Sequence, residues 1–558
     1  MLMVALQVVA IHQQSLSGDG AYHLLAGDQA LRYGQNEINL EHPPLAKLVM
    51  ALPQLTEDRP LAPRITVDQA LVTVDRIHEQ PQRLWRAAVA GRYLVLLVFA
   101  LPFLAACYAL GSVYADRRTG LVLLFLIGLS LSVVPYLTIL QTDAAVAAGF
   151  LLVLLAVPRF AARGGLGRAA LVGLALGLAV AAKHSGLLIA PAAVLAVALA
   201  WRRGQRWWRA PAQLLVIALL AAAVVELTYA AANLRYDSER GRQAIRLYCQ
   251  NRGTLIVGDR LRAAEPLLLA VERREPRLAQ WLTGLLGIRV QNAIGVYPSY
   301  AFGDVRPEGR WWYFPAVLAL KTPLPILVAA LAFAAGGLRR RRRWRRTLAD
   351  LYPYLPLIVT GVVYLGTAIG STYNLGVRHL LPILPLLYLP VARGLARRPR
   401  AAALVVALLA LESLALTPLW MSATNTWWLG NRNPTRFALS ASDLEYKQNF
   451  IQLARYARAH GIDDLKVIYP ALGEAVVRAY LPDASLVRPD RPLAPGWYAV
   501  TVRVEQYLPV LARKKINPNV DRLAAAWQEP WRRLLAAAED HGYVAGTFHL
   551  YYLPEAAP

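Results

Sequence analysis

The sequence predicts an all-α membrane domain of about eleven spans, followed by a small α/β domain. The chain is 56% hydrophobic, which exceeds the roughly 45–50% of soluble proteins. Apolar stretches of about the 20 residues that a helix needs to cross a bilayer recur through residues 1–421. Over residues 422–558 the pattern changes to short apolar runs (466–469, 497–504 and 547–552) that alternate with amphipathic segments (447–460 and 522–539). This alternation is typical of an α/β domain.

The first part of the chain combines a short apolar segment with a polar loop. Residues 1–15 predict a short first span, and residues 16–86 predict a first outer loop. Amphipathic stretches at 44–53 and 68–86 predict helices that lie along the membrane surface. Ten further spans are predicted, to within several residues, at 87–113, 120–137, 143–158, 169–183, 185–200, 211–231, 312–337, 351–370, 377–394 and 400–421.

The positions of the arginines predict how these spans are oriented. Arginine clusters fall on alternate connections, at 117–118, 159–168, 202–209, 339–346 and 393–400. Because basic loops stay in the cytoplasm, we expect a cytoplasmic N-terminus, with the long 232–311 loop and the C-terminal domain outside. This alternation requires a break between two spans at 183–186. The same rule explains the net charge of +25, so the expected partners are membrane lipids and not nucleic acids.

Ionisable side chains are dense in the first outer loop. They are Asp19, His23, Asp28, Glu41, His42 and Lys47. Two prolines follow His42, and proline restricts the residue before it to an extended conformation. The segment is either part of a functional site or an ordinary solvated loop with a turn, and composition favours the two equally.

Ionisable residues also stand at the ends of predicted spans. Asp143 opens a span, where it is either a functional carboxylate or, more commonly at such positions, part of a helix N-cap. Lys183 lies between two apolar runs and is either a functional charge or a lysine that reaches for the interface. Arg378 and His379 open a span on the outer face, where arginine is unusual and suits phosphate binding. Glu226, inside a span, is either a relay or a helix contact.

Under the predicted orientation these residues share one side of the membrane. That set contains Asp19, Glu41, His42, Asp143, Lys183 and Arg378. It supplies a candidate general base, candidate metal ligands and two cations for an anionic group. Glycosyl transfer needs a carboxylate that removes the acceptor's proton and positive charge that stabilises the departing phosphate.

A series of motifs follows in one order through nearly the whole chain. The motifs are Ser17-Gly18-Asp19-Gly20-Ala21-Tyr22-His23, Glu41-His42-Pro43-Pro44-Leu45-Ala46-Lys47, Thr142-Asp143, Lys183-His184-Ser185-Gly186 with Pro191, Tyr313-Phe314-Pro315, Lys321-Thr322-Pro323, and the segments at 376–382, 443–448 and 495–500. At these residues the sequence resembles the GT-C glycosyltransferases of the protein O-mannosyltransferase and aminoarabinose-transferase group, which is family 39-like.

The resemblance implies a polyprenyl-phosphate-sugar-dependent transferase of the inner membrane that acts outside on a lipid, glycan or protein acceptor. It implies that Asp19 is the base and that Lys183 and Arg378, with His379 beside them, hold the donor phosphate. His23, Lys47 and Asp143 are further candidate site residues. Some members place a metal near the positions of Glu41 and His42, so the resemblance allows a divalent metal here. It also implies a single inverting displacement, and the sequence shows no nucleotide-binding glycine motif.

Two other functions stay open. Many relatives have Asp-Glu where this chain has Asp19-Gly20, and this departure is compatible with a non-catalytic, transferase-derived subunit of a membrane complex. A transporter of lipid-linked sugars would favour inverted repeats and charges at mid-membrane, and neither is clear in the sequence. Cys107 and Cys249 are predicted in a span and in a loop, respectively, so no disulfide is expected between them.

Overall fold

The described residues up to 432 are mainly helical, and those beyond it combine helix and sheet. The computed structural model describes residues 1–202, 205–250, 259–339, 351–432, 434–439, 443–470, 472–516 and 518–555. Its α-helices are Leu2–Gln13, Gly20–Tyr33, Leu45–Ala51, Ala70–Ile77, Pro81–Val95, Leu101–Tyr114, Arg117–Gly128, Asp143–Arg163, Leu166–Ala182, Ala190–Arg202, Ala210–Ala232, Ser238–Cys249, Asp259–Arg262, Glu265–Glu272, Pro276–Ile294, Tyr313–Lys321, Leu324–Arg339, Leu355–Ile369, Leu384–Ala396, Pro399–Ala415, Phe450–Ala459, Glu474–Arg478, Val502–Leu511 and Pro518–Ala537.

Helices long and apolar enough to cross a bilayer make this a multi-pass membrane protein. Within the described ranges there are five: Pro81–Tyr114, Asp143–Arg163, His184–Arg202, Trp207–Ala232 and Tyr352–Ile369. A sixth results if Tyr313–Lys321 and Leu324–Gly336, which meet at 110°, form one broken span. Several predicted spans are shorter helices, such as Leu2–Gln13, Leu166–Ala182 and Leu384–Ala396, so the count of eleven stays a prediction. Of the predicted arginine cluster at 339–346, residues 340–346 lie outside the described residues.

The predicted span at 120–137 is wrong in extent. Helix Arg117–Gly128 ends after twelve residues, and the chain then runs to Asp143 with only one short 3-10 turn, Val134–Tyr136. Pro135 cannot donate a helical hydrogen bond, and the Ser130 hydroxyl accepts from the Ser132 amide at 3.2 Å in place of a helical bond. Residues 129–142 are all buried, as non-helical backbone in a membrane protein must be when it faces no water.

The predicted break at 183–186 is present. Helix Leu166–Ala182 ends at Lys183, whose backbone is extended at φ −160° and ψ 143°, and a 3-10 segment, His184–Ile189, leads into the next helix. Gly186 lies so close to the preceding helix that a Cβ there would be 2.2 Å from the Ala179 carbonyl oxygen. The turn therefore folds back tightly and presents Lys183 at its corner.

The C-terminal part combines helices with a five-stranded mixed sheet, which confirms the α/β class that the alternating pattern predicts. A short hairpin, β1 (Ser299–Ala301) with β2 (Asp304–Arg306), precedes it in the chain. The strands of the large sheet are β3 (Leu465–Ile468), β4 (Ser485–Leu486), β5 (Gly496–Thr501), β6 (Glu539–Val544) and β7 (Phe548–Leu553). Their order is β4-β3-β5-β7-β6, with β3 parallel to β4 and β5 and the remaining pairs antiparallel. β4 and β6 were not predicted.

Candidate active site

Asp143 joins two cations that come from distant helices. Its Oδ1 accepts from Lys183 Nζ at 2.6 Å, and its Oδ2 lies 3.5 Å from Arg378 Nη1. The carboxylate is buried, at 2% exposure. It occupies the first residue of helix Asp143–Arg163, and Thr142 holds the cap position without a side-chain cap bond. The structure therefore shows Asp143 as an ion-pair partner and not as a cap.

Asp19, just before helix Gly20–Tyr33, is separated from this ion pair by a single bridging residue. Gln141 links the two: its Oε1 accepts from Arg378 Nη1 at 3.0 Å, while its Nε2 lies 3.4 Å from Asp19 Oδ2. The Tyr446 hydroxyl also donates to Asp19 Oδ2. Many protein atoms surround Asp19, yet its side chain remains accessible to solvent. One network thus joins a reachable carboxylate to two cations.

Neighbouring charge keeps Asp19 ionised. Burial alone would raise the pKa of this carboxyl, but the charge of Arg378, together with the hydrogen bonds from Tyr446 and Gln141, outweighs burial and lowers it. An ionised carboxylate is the form that can accept a proton. The geometry and the charge both suit a general base.

The two cations keep donors available for an anion. Arg378 Nε has no hydrogen-bond partner within the described structure, and a guanidinium carries five donors in all. Lys183 donates to Asp143 alone among the described residues, and an ammonium carries three donors. His379 Nε2, beside Arg378, is also unpartnered in the part of the chain that is described. Asp143 therefore orients Lys183 and Arg378 while leaving some of their hydrogen-bond donors available.

The remaining predicted site residues form a second group next to the first. The His23 and His42 rings lie 5.0 Å apart. Lys47, which is 1% exposed, donates to the Asn39 carbonyl at 2.8 Å and thereby fixes the loop before His42. Glu41 accepts from Gln291 Nε2 at 2.6 Å. Burial lowers the pKa of Lys47 to about 7, with Glu41 opposing the shift, and burial lowers the pKa of His23 to about 4.

Buried polar atoms without partners gather around this second group. Both nitrogens of His184 lack a partner within the described ranges, and its ring lies 5.6 Å from that of Trp281. The loop before Glu41 and the helix Pro276–Ile294 meet at Gly284. A Cβ at this position would lie 1.9 Å from the Leu40 oxygen and 2.8 Å from His184 Nε2. Further unpartnered atoms are His23 Nε2, Asn39 Oδ1, His42 Nδ1, Thr142 Oγ1 and Trp281 Nε1. Each such atom costs about 1–3 kcal/mol, so this concentration indicates a place for a polar ligand or water.

The predicted metal ligands do not assemble a metal site here. Among the described residues, no three His, Cys, Asp or Glu side chains are grouped so that they could hold a metal ion. Glu41 accepts a hydrogen bond from Gln291, and the His42 ring lies 5.0 Å from the His23 ring. A divalent metal at Glu41 and His42 therefore stays a prediction.

Glu226 is a helix contact. Its carboxylate pairs with Arg277 at 2.7 Å, and both side chains are about half exposed, at 48% and 42%. Of the two interpretations of this span residue, the structure supports the contact over the relay.

Sequence reasoning missed the neutral members of the network, Gln141 and Tyr446, and the role of Lys321. Lys321 is fully buried and donates to the Met421 oxygen at 2.8 Å, to the Ala423 oxygen at 2.6 Å and to the Asp443 oxygen. The Asp443 carboxylate accepts from the Val377 amide at 2.6 Å and from the Tyr313 hydroxyl at 3.0 Å. These contacts fasten the C-terminal segment to helix Tyr313–Lys321 and to the 3-10 segment Val377–Leu380, which carries Arg378.

Comparison with known proteins gives structural likenesses only. No family model and no curated protein matches the sequence. The structure aligns with ArnT from Cupriavidus metallidurans bound to undecaprenyl phosphate at a TM-score of 0.44 and 11% identity, over 98% of this chain and 96% of that one. It aligns with the Archaeoglobus fulgidus oligosaccharyltransferase in complex with Zn and sulfate at a TM-score of 0.37 and 12% identity, over 94% and 70%.

Because the TM-scores are below 0.5 and the identities below 15%, the alignments by themselves establish no reaction for this chain. The case for an activity depends on the site.

Proposed function

We propose that this protein is a glycosyltransferase that takes a sugar from a polyprenyl-phosphate donor and passes it to a hydroxyl acceptor outside the inner membrane. The single observation that carries the proposal is the network in which Gln141 links Asp19, an accessible carboxylate, to Arg378, and Asp143 links Arg378 to Lys183. A base and a phosphate site lie side by side, as transfer from a sugar phosphate requires.

The reaction follows from the two halves of the network. Lys183, Arg378 and His379 bind the donor phosphate. Asp19 Oδ1 accepts the acceptor's proton while the acceptor oxygen attacks the anomeric carbon. The bond between that carbon and the phosphate oxygen breaks, and the phosphate leaves with the electron pair. Attack on the face opposite to the phosphate inverts the anomeric configuration. The cations stabilise the charge that develops on the phosphate oxygen.

The second group of residues is suited to the sugar ring. Burial lowers the pKa of His23 and of His42, so both imidazoles are neutral. A neutral imidazole offers one donor and one acceptor, which matches the hydroxyl groups of a sugar. The unpartnered atoms of His184 and Trp281 add further groups of the same kind. A lipid, a glycan or a protein would present the acceptor hydroxyl.

The proposal assigns residues 1–421 to the membrane domain and residues 422–558 to a domain on the same outer side as Asp19. The contact between Asp19 and Tyr446 supports that shared side. The prediction of a divalent metal at Glu41 and His42 is tested by chelation: transfer that persists in EDTA removes it.

The deciding experiment is Asp19→Asn in cells that otherwise lack the protein. Mass analysis of lipid-linked sugars and glycans should show the product with the wild type and none with the variant, at equal protein in the membrane. Asp116→Asn is the matched control, since Asp116 only caps the helix that starts at Arg117, at 2.9 Å from the Thr119 amide. Product formed by Asp19→Asn would contradict the assignment of the base. Unchanged glycans on deletion would instead favour a non-catalytic subunit.

A further inference from the structure

The loop that carries Asp19 is held by the C-terminal segment. The Ser15 amide donates to the Gln448 oxygen at 2.9 Å, and the Gly18 amide donates to the Tyr446 oxygen at 3.0 Å. The Ser15 hydroxyl adds a bond to the Lys447 oxygen at 2.6 Å. These hydrogen bonds join segments more than 400 positions apart and hold the chain directly before Asp19.

The fit between the two segments is close. A Cβ on Gly18 would lie 2.9 Å from Tyr446 Cε2, so only glycine lets the aromatic ring lie against the backbone here. On the other side, Lys447 has a φ of +65°, which is uncommon for a residue with a side chain. The chain thus turns sharply directly after Tyr446, and the turn aims the ring at the site.

The Tyr446 side chain contacts both halves of the network. Its hydroxyl donates to Asp19 Oδ2 and accepts from Gln141 Nε2 at 2.9 Å. Its ring lies under the Arg378 guanidinium, 4.7 Å from the guanidinium carbon, within the range of a cation–π interaction. Both side-chain contacts of Asp19 are made by Oδ2. Among the described residues, Oδ1 has no hydrogen-bond donor, so it is the oxygen left for another molecule.

We propose that Tyr446 is a positioning residue through which the C-terminal domain completes the active site. This inference rests on the proposed function. The phenol fixes Asp19 Oδ2, so that Oδ1 is the atom that meets the acceptor hydroxyl, and the ring holds the guanidinium that meets the donor phosphate. The membrane domain supplies Gln141, whose contacts with Asp19 Oδ2 and Arg378 span 3.4 Å and 3.0 Å, and Tyr446 adds the hydroxyl bond and the aromatic ring.

The two contacts predict separable effects. A hydroxyl that donates to a carboxylate stabilises its charged form, so removal of the phenol oxygen should raise the pH at which Asp19 loses its proton. Phenylalanine keeps the ring under Arg378, and its cation–π contact should hold donor affinity near the wild-type value. Alanine removes both contacts and should weaken phosphate binding as well.

The experiment compares Tyr446→Phe and Tyr446→Ala with a matched control, Tyr480→Phe. Tyr480 also contacts the Asp19 loop, where its hydroxyl accepts from the Leu16 amide at 2.9 Å, but it does not reach the carboxylate. Initial transfer rates in membranes are measured against pH. Binding of undecaprenyl phosphate to the purified protein is measured by tryptophan fluorescence.

For Tyr446→Phe we expect the acid limb of the plot of transfer rate against pH to move to higher pH, and the affinity for undecaprenyl phosphate to stay unchanged. For Tyr446→Ala we expect the same movement with at least a several-fold loss of affinity, and Tyr480→Phe should move neither. An acid limb that stays in place in Tyr446→Phe overturns the inference. The carboxyl infrared band that Asp19→Asn removes belongs to Asp19, and its titration gives the pH at which Asp19 loses its proton in each variant. This measurement needs no turnover, so it distinguishes failure of the proposed function from failure of the positioning role.

Discussion

Lys183 donates to Asp143 at 2.6 Å, and this ion pair places the corner between two apolar helices against the start of a third. The same carboxylate faces Arg378 from its other oxygen. Three segments, near residues 143, 183 and 378, therefore depend on one buried anion for their mutual arrangement.

Asp143→Ala should destabilise the protein. Lys183 and Arg378 would be left in a poorly solvated site without their counter-ion, and loss of one partner from a buried pair costs about 3–5 kcal/mol. Lys183 is 15% exposed, so the lower end of this range is expected. Thermal unfolding in detergent measures the loss. Adding Lys183→Met to Asp143→Ala should restore part of the stability, and a double variant that is no more stable than Asp143→Ala would contradict the pairing.

Arg378→Ala should weaken donor binding more than acceptor binding. A hydrogen bond to a charged group contributes about 1.5–3 kcal/mol, so affinity for undecaprenyl phosphate should fall about 10- to 100-fold. Arg378→Lys is the matched variant, because it retains the charge but loses the planar guanidinium. Its affinity for undecaprenyl phosphate should lie between those of the wild type and Arg378→Ala. Equal weakening of donor and acceptor binding would argue against a phosphate role.

Lys321→Met should loosen the C-terminal segment. The buried ammonium donates to three backbone oxygens, and all three would lose a charged donor. Limited proteolysis should cut the variant between residues 421 and 443 well before it cuts the wild type. Lys514→Met provides the control, because Lys514 is 42% exposed and its ion pair with Asp304 spans 3.2 Å. Equal cleavage rates in all three proteins would show that Lys321 does not fasten this segment.

Gly284→Ala should separate the helix Pro276–Ile294 from the loop before Glu41, because a Cβ would lie 1.9 Å from the Leu40 oxygen. We expect a lower unfolding temperature and loss of transfer. Gly361→Ala is the control: a Cβ there meets no atom within 4 Å, and alanine in a helix is favoured by about 1 kcal/mol. Full activity of Gly284→Ala would mean that this approach is not needed by the site.

His549 should make the stability of the C-terminal domain pH-dependent. Burial lowers its pKa, but hydrogen bonds and charge from Glu505 and Asp540 outweigh burial and raise it above the ordinary 6.5. Because the folded state binds the proton more tightly, this stabilisation is complete below pH 6.5 and is lost as pH rises through the folded pKa. His549→Gln should flatten the dependence of the unfolding temperature in that window. His541→Gln, at a half-exposed site on the same sheet, should leave it unchanged.

Much of the fold and part of the site were predictable because they depend on local pattern. The break at 183–186 follows from the alternation of arginine-rich connections, and strands β3, β5 and β7 follow from short apolar runs between helices. The span at 120–137 was wrong because mean hydropathy does not register Pro135 or the serines before it, which end the helix while leaving the segment apolar.

The members of the network that were missed are neutral or distant. Asp19, Asp143 and Arg378 stand out because ionisable groups are costly at a membrane. Gln141 and Tyr446 carry no charge, and Tyr446 is 427 positions from the carboxylate it contacts. Local pattern gives no signal for such a pairing. The proximity of Gln141 to Asp143, and the place of Tyr446 in the 443–448 motif, were the available hints.

The tight approach of Gly18 to the Tyr446 ring also constrains protein engineering. A chimaera that takes its C-terminal domain from another transferase would bring a foreign turn against residues 15–19. Such a graft should work only when both segments are exchanged together, because neither one keeps its shape without the other.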